Sequence, residues 1–122
     1  MMPSLKSLLN DIPPTLPEEL CQTLLQKPTL RIERILSQGH QSPTDFWYDQ
    51  DQDEWVLLVE GQARLSFANG ESTTLHAGDY LLIPAHCKHR VDWTPADRVT
   101  IWLAIYMESQ QDPSTPKHLS MP

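Results

Sequence analysis

The sequence predicts an all-β protein, folded as an antiparallel sandwich or barrel. Short strand-like segments follow one another from Thr29 to Met107, and turn residues rather than helical patterns separate them. The dipeptide Asn69-Gly70 joins two alternating segments, which is the strongest short signal for a β-hairpin. Short strands spaced in this regular way pack as two sheets or close into a barrel.

Composition indicates one globular domain. The chain has 122 residues, of which 39% are hydrophobic and 20% charged, enough for a single core. The formal net charge of -7 and the pI near 5.0 argue against an electrostatic grip on nucleic acid or on an anionic membrane. No apolar run approaches the roughly 20 residues that span a bilayer.

The N-terminus and the cysteines predict a cytoplasmic location. The first residues, MMPSLKSLLNDIPP, lack the apolar core and the small-residue cleavage site of a secretory signal. Cys21 and Cys87 lie far apart in dissimilar contexts, so they indicate no disulfide framework. A reducing compartment fits both observations.

Residues 1–28 are predicted to form a poorly ordered N-terminal segment, residues 1–14, which we call the lead, and then a short helix. Prolines break the first fourteen residues. Thr15 followed by Glu18 has the pattern of a capping box, and Pro28 would end the helix. Three leucines follow at helical spacing: Leu16, Leu20 and Leu24.

Residues 29–107 predict the barrel, and residues 108–122, which are polar and proline-rich, predict a disordered tail. Glycine or proline stands between most of the strand-like segments. In chain order these segments are TLRIERIL, EWVLLVE, ARLSF, ESTTLH, YLLIP, KHRVDW and RVTIWLAIYM.

Two of the segments, WVLLV and VTIWLAIYM, are apolar on both faces. A strand with one face in water would alternate, so something covers the second face. Either the N-terminal helix or a second subunit could do so. Because the helix is short, we predict a homodimer.

The stretch WYDQDQDEW, residues 47–55, places acidic side chains directly before a buried strand. Four acidic residues fall at positions one, three, five and twelve of an EF-hand loop: Asp49, Asp51, Asp53 and Glu60. Position six requires glycine but holds Glu54, and residues 55–59 form a strand rather than a loop. The calcium interpretation therefore fails, which leaves another type of metal centre or a solvated acidic turn.

Two motifs in this region resemble those of the cupins, which are small double-sheet jelly-roll barrels. The segment EWVLLVEG is similar to the second half of the first cupin motif, and GDYLLIPAHCKHRVDW is similar to the second motif. The resemblance covers residues 29–107. It implies a double-stranded β-helix barrel that hosts many unrelated chemistries.

The resemblance implies that Glu54 and His89 stand at metal-ligand positions. The two histidines of the first motif are absent, and Asp49 is a candidate in their place because a carboxylate can ligate a metal as an imidazole does. His86 stands where the second motif usually has glycine, and it is a further candidate for a metal ligand or a ligand contact.

Such a donor set suits a divalent transition metal, with zinc, iron, manganese or nickel left open. If the protein is an enzyme, the metal would serve as a Lewis acid or activate oxygen, giving oxygenase, isomerase or decarboxylase chemistry. The alternative is a metal-free cupin that binds or senses a small molecule. In that case Glu54 and His89 would form a buried pair.

Residues at the barrel mouth are candidates for ligand contacts. Phe46, Trp47 and Tyr48 could form an apolar lid over a small organic ligand, although aromatic residues of this kind also fill cores. His40 follows a glycine at a strand end, and it either reaches the cavity or lies in a surface turn.

Overall fold

The structure is a computed structural model that describes residues 2–109. Its eight strands form two antiparallel sheets, a five-stranded sheet in the order β1-β2-β8-β3-β6 and a three-stranded sheet in the order β5-β4-β7. The strands are β1 Leu20–Lys27, β2 Leu30–Ser37, β3 Gln52–Glu60, β4 Gln62–Phe67, β5 Ser72–His76, β6 Tyr80–Ile83, β7 His89–Trp93 and β8 Thr100–Glu108. The predicted all-β class is confirmed.

The predicted N-terminal helix is wrong, because Leu20–Lys27 is strand β1. It pairs with β2 from Leu20 opposite Leu36 to Lys27 opposite Leu30, through a tight hairpin. A helix of about ten residues is marginal in water, whereas the edge of β2 offers backbone partners along the whole segment. The sheet therefore begins at residue 20 rather than at residue 29.

The N-terminal lead packs on the outer face of the five-stranded sheet. Arg34 on β2 is 5% exposed, and its guanidinium donates hydrogen bonds to the backbone oxygens of Leu8, Asn10 and Asp11. Its Nε donates to the side-chain oxygen of Gln22 at 2.7 Å. One buried cation thus fixes the lead and β1 together.

The core lies between the two sheets. Along β3 the side chains alternate, with Glu54, Val56 and Leu58 buried and their neighbours half-buried, as a strand with one face inward requires. Buried residues from both sheets complete the core cluster: Ala63, Leu65, Leu75, Ile83 and Trp102.

Two turns have the backbone conformation that their sequence requires. Gly70 has a φ of 95° in the predicted hairpin, where its N–H donates to the oxygen of Phe67 at 3.0 Å. Gly61, between β3 and β4, has a φ of 96°. A Cβ atom there would lie 2.8 Å from the Cα atom of Thr100, so this position accepts glycine alone.

The described part of the chain contains no helix with the length and hydropathy needed to cross a membrane. Residues 110–122, which make up most of the predicted disordered tail, lie outside the described residues.

Candidate functional site

A cavity of about 150 Å³ lies between the two sheets. Its walls are mostly apolar, with a smaller number of polar groups. Its lining residues are Glu19, Cys21, Ile35, Tyr48, Gln50, Glu54, Val56, Leu65, Ile83, His89, Val91, Trp102 and Tyr106. A cavity of this size holds a molecule roughly as large as benzene.

Glu54 and His89 face each other across this cavity. Glu54 lies near the start of β3 in one sheet, and His89 is the first residue of β7 in the other. The Nε2 atom of His89 lies 3.5 Å from Oε1 of Glu54, and the two side chains are 6% and 10% exposed. The structure thus brings these two sequence-predicted residues together.

The His89 ring is held on its other side by the backbone. Its Nδ1 lies 2.9 Å from the oxygen of Cys87, which places the proton on Nδ1 and leaves Nε2 for the cavity. Burial lowers the pKa of His89, but the hydrogen bonds to Glu54 and Cys87 and the charge of Glu54 outweigh it, so the pKa is raised above its ordinary value.

Two further residues fix the pair. Gln50 donates its amide N–H to Oε1 of Glu54 at 3.1 Å. Tyr48 stacks on the His89 ring with 5.5 Å between centroids, and the backbones of the two residues exchange hydrogen bonds of 2.7 and 3.1 Å. The segment before β3 therefore positions the imidazole that β7 presents.

Two tyrosines and one cysteine of the wall have raised pKa values. Burial, followed by the charge of Glu19, raises the pKa of the Tyr48 hydroxyl, and burial with the charge of Glu54 raises that of Tyr106. Burial, Glu19 and Glu33 raise the pKa of Cys21 to about 11. The wall thus offers neutral hydroxyl and thiol groups, and no thiolate nucleophile.

The four candidate metal ligands do not form one site. Asp49 and His86 pair with each other at 2.9 Å, and their side chains are 42% and 69% exposed, whereas Glu54 and His89 lie inside the cavity. Within residues 2–109, no group of three or more histidine, cysteine, aspartate or glutamate side chains is arranged to hold a metal ion. The structure thus divides the four candidates into two pairs, and their role as metal ligands stays a prediction.

The backbone explains this separation. Asp49 precedes β3 in the exposed turn. The N–H of His86 donates to the oxygen of Gln50 at 2.7 Å, which brings the turn before β7 against the turn before β3. His86 has a φ of 65°, so it adopts the left-handed conformation that glycine usually supplies. The backbone therefore holds Asp49 and His86 together at the rim, apart from Glu54 and His89.

The predicted ligand contacts lie at different depths. Tyr48 lines the cavity, whereas Phe46 and Trp47 are 41% and 37% exposed, and Phe46 packs edge-on against Tyr48 at 4.7 Å. His40 lies in an adjoining outer groove of about 510 Å³ that also contains Glu18 and Glu19. Of the three predicted lid residues, Tyr48 therefore lies in the cavity wall and Phe46 packs against it from outside.

Sequence reasoning missed several wall residues, above all Glu19, Cys21 and Tyr106. Tyr106 pairs directly with Glu54 in the register of β8 and β3, and the alternation along β8 from Trp102 could have revealed it. Glu19 and Cys21 could not be found, because their segment has a helical pattern in the sequence. In the structure, the hydroxyl of Ser37 on β2 donates a hydrogen bond of 2.9 Å to the Glu19 carboxylate and so positions it.

The comparisons with known proteins identify the family. The family model of the cupin domain matches residues 33–106, which is more than half of the chain. This protein therefore belongs to the cupin superfamily, and the predicted barrel class is confirmed.

Solved structures have the same fold. A crystal structure from Ralstonia eutropha JMP134, provisionally named a mannose-6-phosphate isomerase, is 42% identical, with 88% of this chain and 100% of that chain covered and a TM-score of 0.84. A cupin superfamily protein from Desulfitobacterium hafniense is 20% identical, with 80% and 84% of the two chains covered and a TM-score of 0.67.

A third similar structure, an RmlC-like cupin from Shewanella frigidimarina, is 19% identical, with 76% and 78% of the chains covered and a TM-score of 0.63. At these lower identities the likeness concerns the fold alone. A search of the curated proteins found no match to this chain.

Proposed function

We propose that this protein binds a small organic molecule in the cavity between its sheets without a metal ion, and that Glu54 and His89 contact that molecule. The observation that carries the proposal is the buried Glu54–His89 pair, whose two side chains are 10% and 6% exposed and line the cavity wall. A carboxylate withdrawn from water needs hydrogen-bonding or charged partners. His89 and Gln50 are the partners of Oε1 of Glu54.

The donor set argues against a metal in this cavity. Divalent transition metals in proteins take three or more protein ligands, and the other two candidates, Asp49 and His86, bind each other at the rim. The protein groups facing the cavity instead match the few polar contacts that orient a small molecule in an apolar pocket.

A second candidate is an isomerase, which the 42% identity to the Ralstonia protein favours. Aldose–ketose isomerisation through an enediol requires a proton to be removed from one carbon and returned to its neighbour, and a histidine held at one ring nitrogen is suited to that role. His89 meets this condition through Cys87. Incubation with mannose 6-phosphate, followed by NMR, tests this candidate directly.

Binding is tested by NMR with a library of small organic fragments. We expect fragments to shift the indole N–H resonance of Trp102, which lines the cavity, and to leave that of Trp93, which is 37% exposed, unchanged. Shifts at Trp93 alone would place binding elsewhere and contradict the proposal.

The metal-free part is tested by elemental mass spectrometry on protein purified without a chelator. We expect far less than one transition metal ion per chain. One ion per chain in the natural protein, lost in the His89→Ala variant, would overturn this part of the proposal.

The predicted cytoplasmic location remains a proposal. Cys21 and Cys87 are both free, as the thiols of proteins in a reducing compartment usually are.

A further inference from the structure

We propose that the cavity selects a small organic cation, such as a primary ammonium compound with an apolar body, and rejects phosphorylated and other anionic molecules. This inference rests on the proposed binding function and adds the charge class of the ligand. It follows from the charges and the unused acceptors of the cavity wall.

The wall carries negative groups and no fixed positive one. Glu19 and Glu54 are its carboxylates, and neither lysine nor arginine is among the cavity-lining residues of the described chain. The adjoining groove adds Glu18 and also has no lysine or arginine in its lining within residues 2–109. A phosphate entering this site would meet carboxylates without a guanidinium or an ammonium group.

Glu54 has acceptor capacity to spare. Its Oε1 accepts from Gln50 and faces His89, while its other oxygen has no hydrogen-bond partner within residues 2–109. Glu54 is 7% exposed, and only one of its two oxygens has a partner among the described residues. Such a carboxylate favours a positively charged hydrogen-bond donor, because burial strengthens the attraction between opposite charges.

Arg31, which packs on the lining residue Tyr106, is occupied elsewhere. The guanidinium of Arg31 lies 4.4 Å from the centroid of the Tyr106 ring and donates to Glu33 at 2.9 Å, outside the cavity lining. Among the cavity-lining residues within 2–109, His89 is the one group that can become positive, and it faces Oε1 of Glu54. Aromatic rings in the wall, those of Tyr48, Trp102 and Tyr106, add a favourable environment for a cation.

The apolar side chains of the wall determine what the uncharged part of the ligand must be. Ile35, Val56, Leu65, Ile83 and Val91 line the cavity, so the ligand must bring a hydrocarbon body to replace water there. The cavity volume of about 150 Å³ limits this body to about the size of a six-membered ring.

The test uses three probes of one shape: cyclohexylammonium, cyclohexanol and cyclohexanecarboxylate. Their binding to the full chain is measured by calorimetry at one pH near neutrality. We expect the ammonium to bind about tenfold or more tighter than the alcohol, and the carboxylate and mannose 6-phosphate to bind more weakly than either.

Two variants assign the preference to the wall. Glu54→Gln should remove most of the tenfold advantage of the ammonium over the alcohol; Glu19→Gln provides the same test if the first variant does not fold. Glu108→Gln removes an exposed carboxylate on β8; it is the control and should leave that advantage unchanged.

The outcomes separate the two proposals. If the alcohol binds and shifts Trp102 but the ammonium has no advantage, the charge inference is wrong and the binding function stands. Tighter binding of an anion would also overturn it. If none of the probes binds, the proposed binding function fails as well.

Discussion

Nε2 of His89 lies 3.5 Å from Oε1 of Glu54, and the two side chains, 6% and 10% exposed, join opposite sheets of the barrel. Each residue is held by a further group, His89 by the oxygen of Cys87 and Glu54 by the amide of Gln50. The pair therefore belongs at once to the architecture and to the cavity, and several consequences can be measured.

The pair should make stability depend on pH. The pKa of His89 is raised in the folded protein, so its contribution is fully present below the unfolded value of about 6.5 and is lost as the pH rises through the folded value. Relative to His89→Gln, the natural protein should lose free energy of unfolding as the pH rises above about 6.5 and through the higher folded pKa of His89. Urea denaturation of both proteins across this range measures the difference.

The raised pKa of Cys21 affects both proteins equally and cancels in that comparison. A difference that stays constant or grows with pH would show that His89 is not stabilised in its charged form.

The two members of the pair should be energetically coupled. Replacing either Glu54 or His89 by glutamine leaves the other buried with a poorer partner, while the double replacement removes both charges. We expect a coupling free energy of about 1 kcal/mol or more in a double-mutant cycle, measured by chemical denaturation. Simple additivity of the two single effects would mean that the contact contributes nothing.

Arg34 should anchor the N-terminal lead. Its guanidinium bonds three backbone oxygens of residues 8–11, so Arg34→Met should cost about 3 kcal/mol and speed hydrogen exchange in residues 8–12. Mass spectrometry of exchanging peptides measures the second effect. Arg98→Met removes an exposed arginine with one contact to Gln62, and it should change neither quantity.

Glycine should be required at position 61 and only preferred at position 70. Both residues have a positive φ, but a Cβ at Gly61 would overlap Thr100, whereas nothing lies within 4 Å at Gly70. Gly70→Ala should cost about 1 kcal/mol through the backbone alone. Gly61→Ala should cost clearly more, and equal melting temperatures of the two variants would contradict this account.

Much of the fold could be predicted from local sequence patterns. The alternation in TLRIERIL and the Asn69-Gly70 turn depend on contacts between neighbours in the chain, and the structure contains both the strand and the hairpin. Glu54 and His89 could also be selected in advance, because the resemblance to the two cupin motifs marks their positions.

The tertiary structure alone decided the rest. The segment at Leu20–Lys27 has a helical spacing of leucines, yet the open edge of β2 makes it a strand, and this brings Glu19 and Cys21 into the cavity wall. Local spacing likewise could not show that Asp49 binds His86 rather than joining Glu54. Strand identity depends on near neighbours, whereas the composition of a cavity depends on which distant segments pair, and pairing is chosen by the whole folded chain.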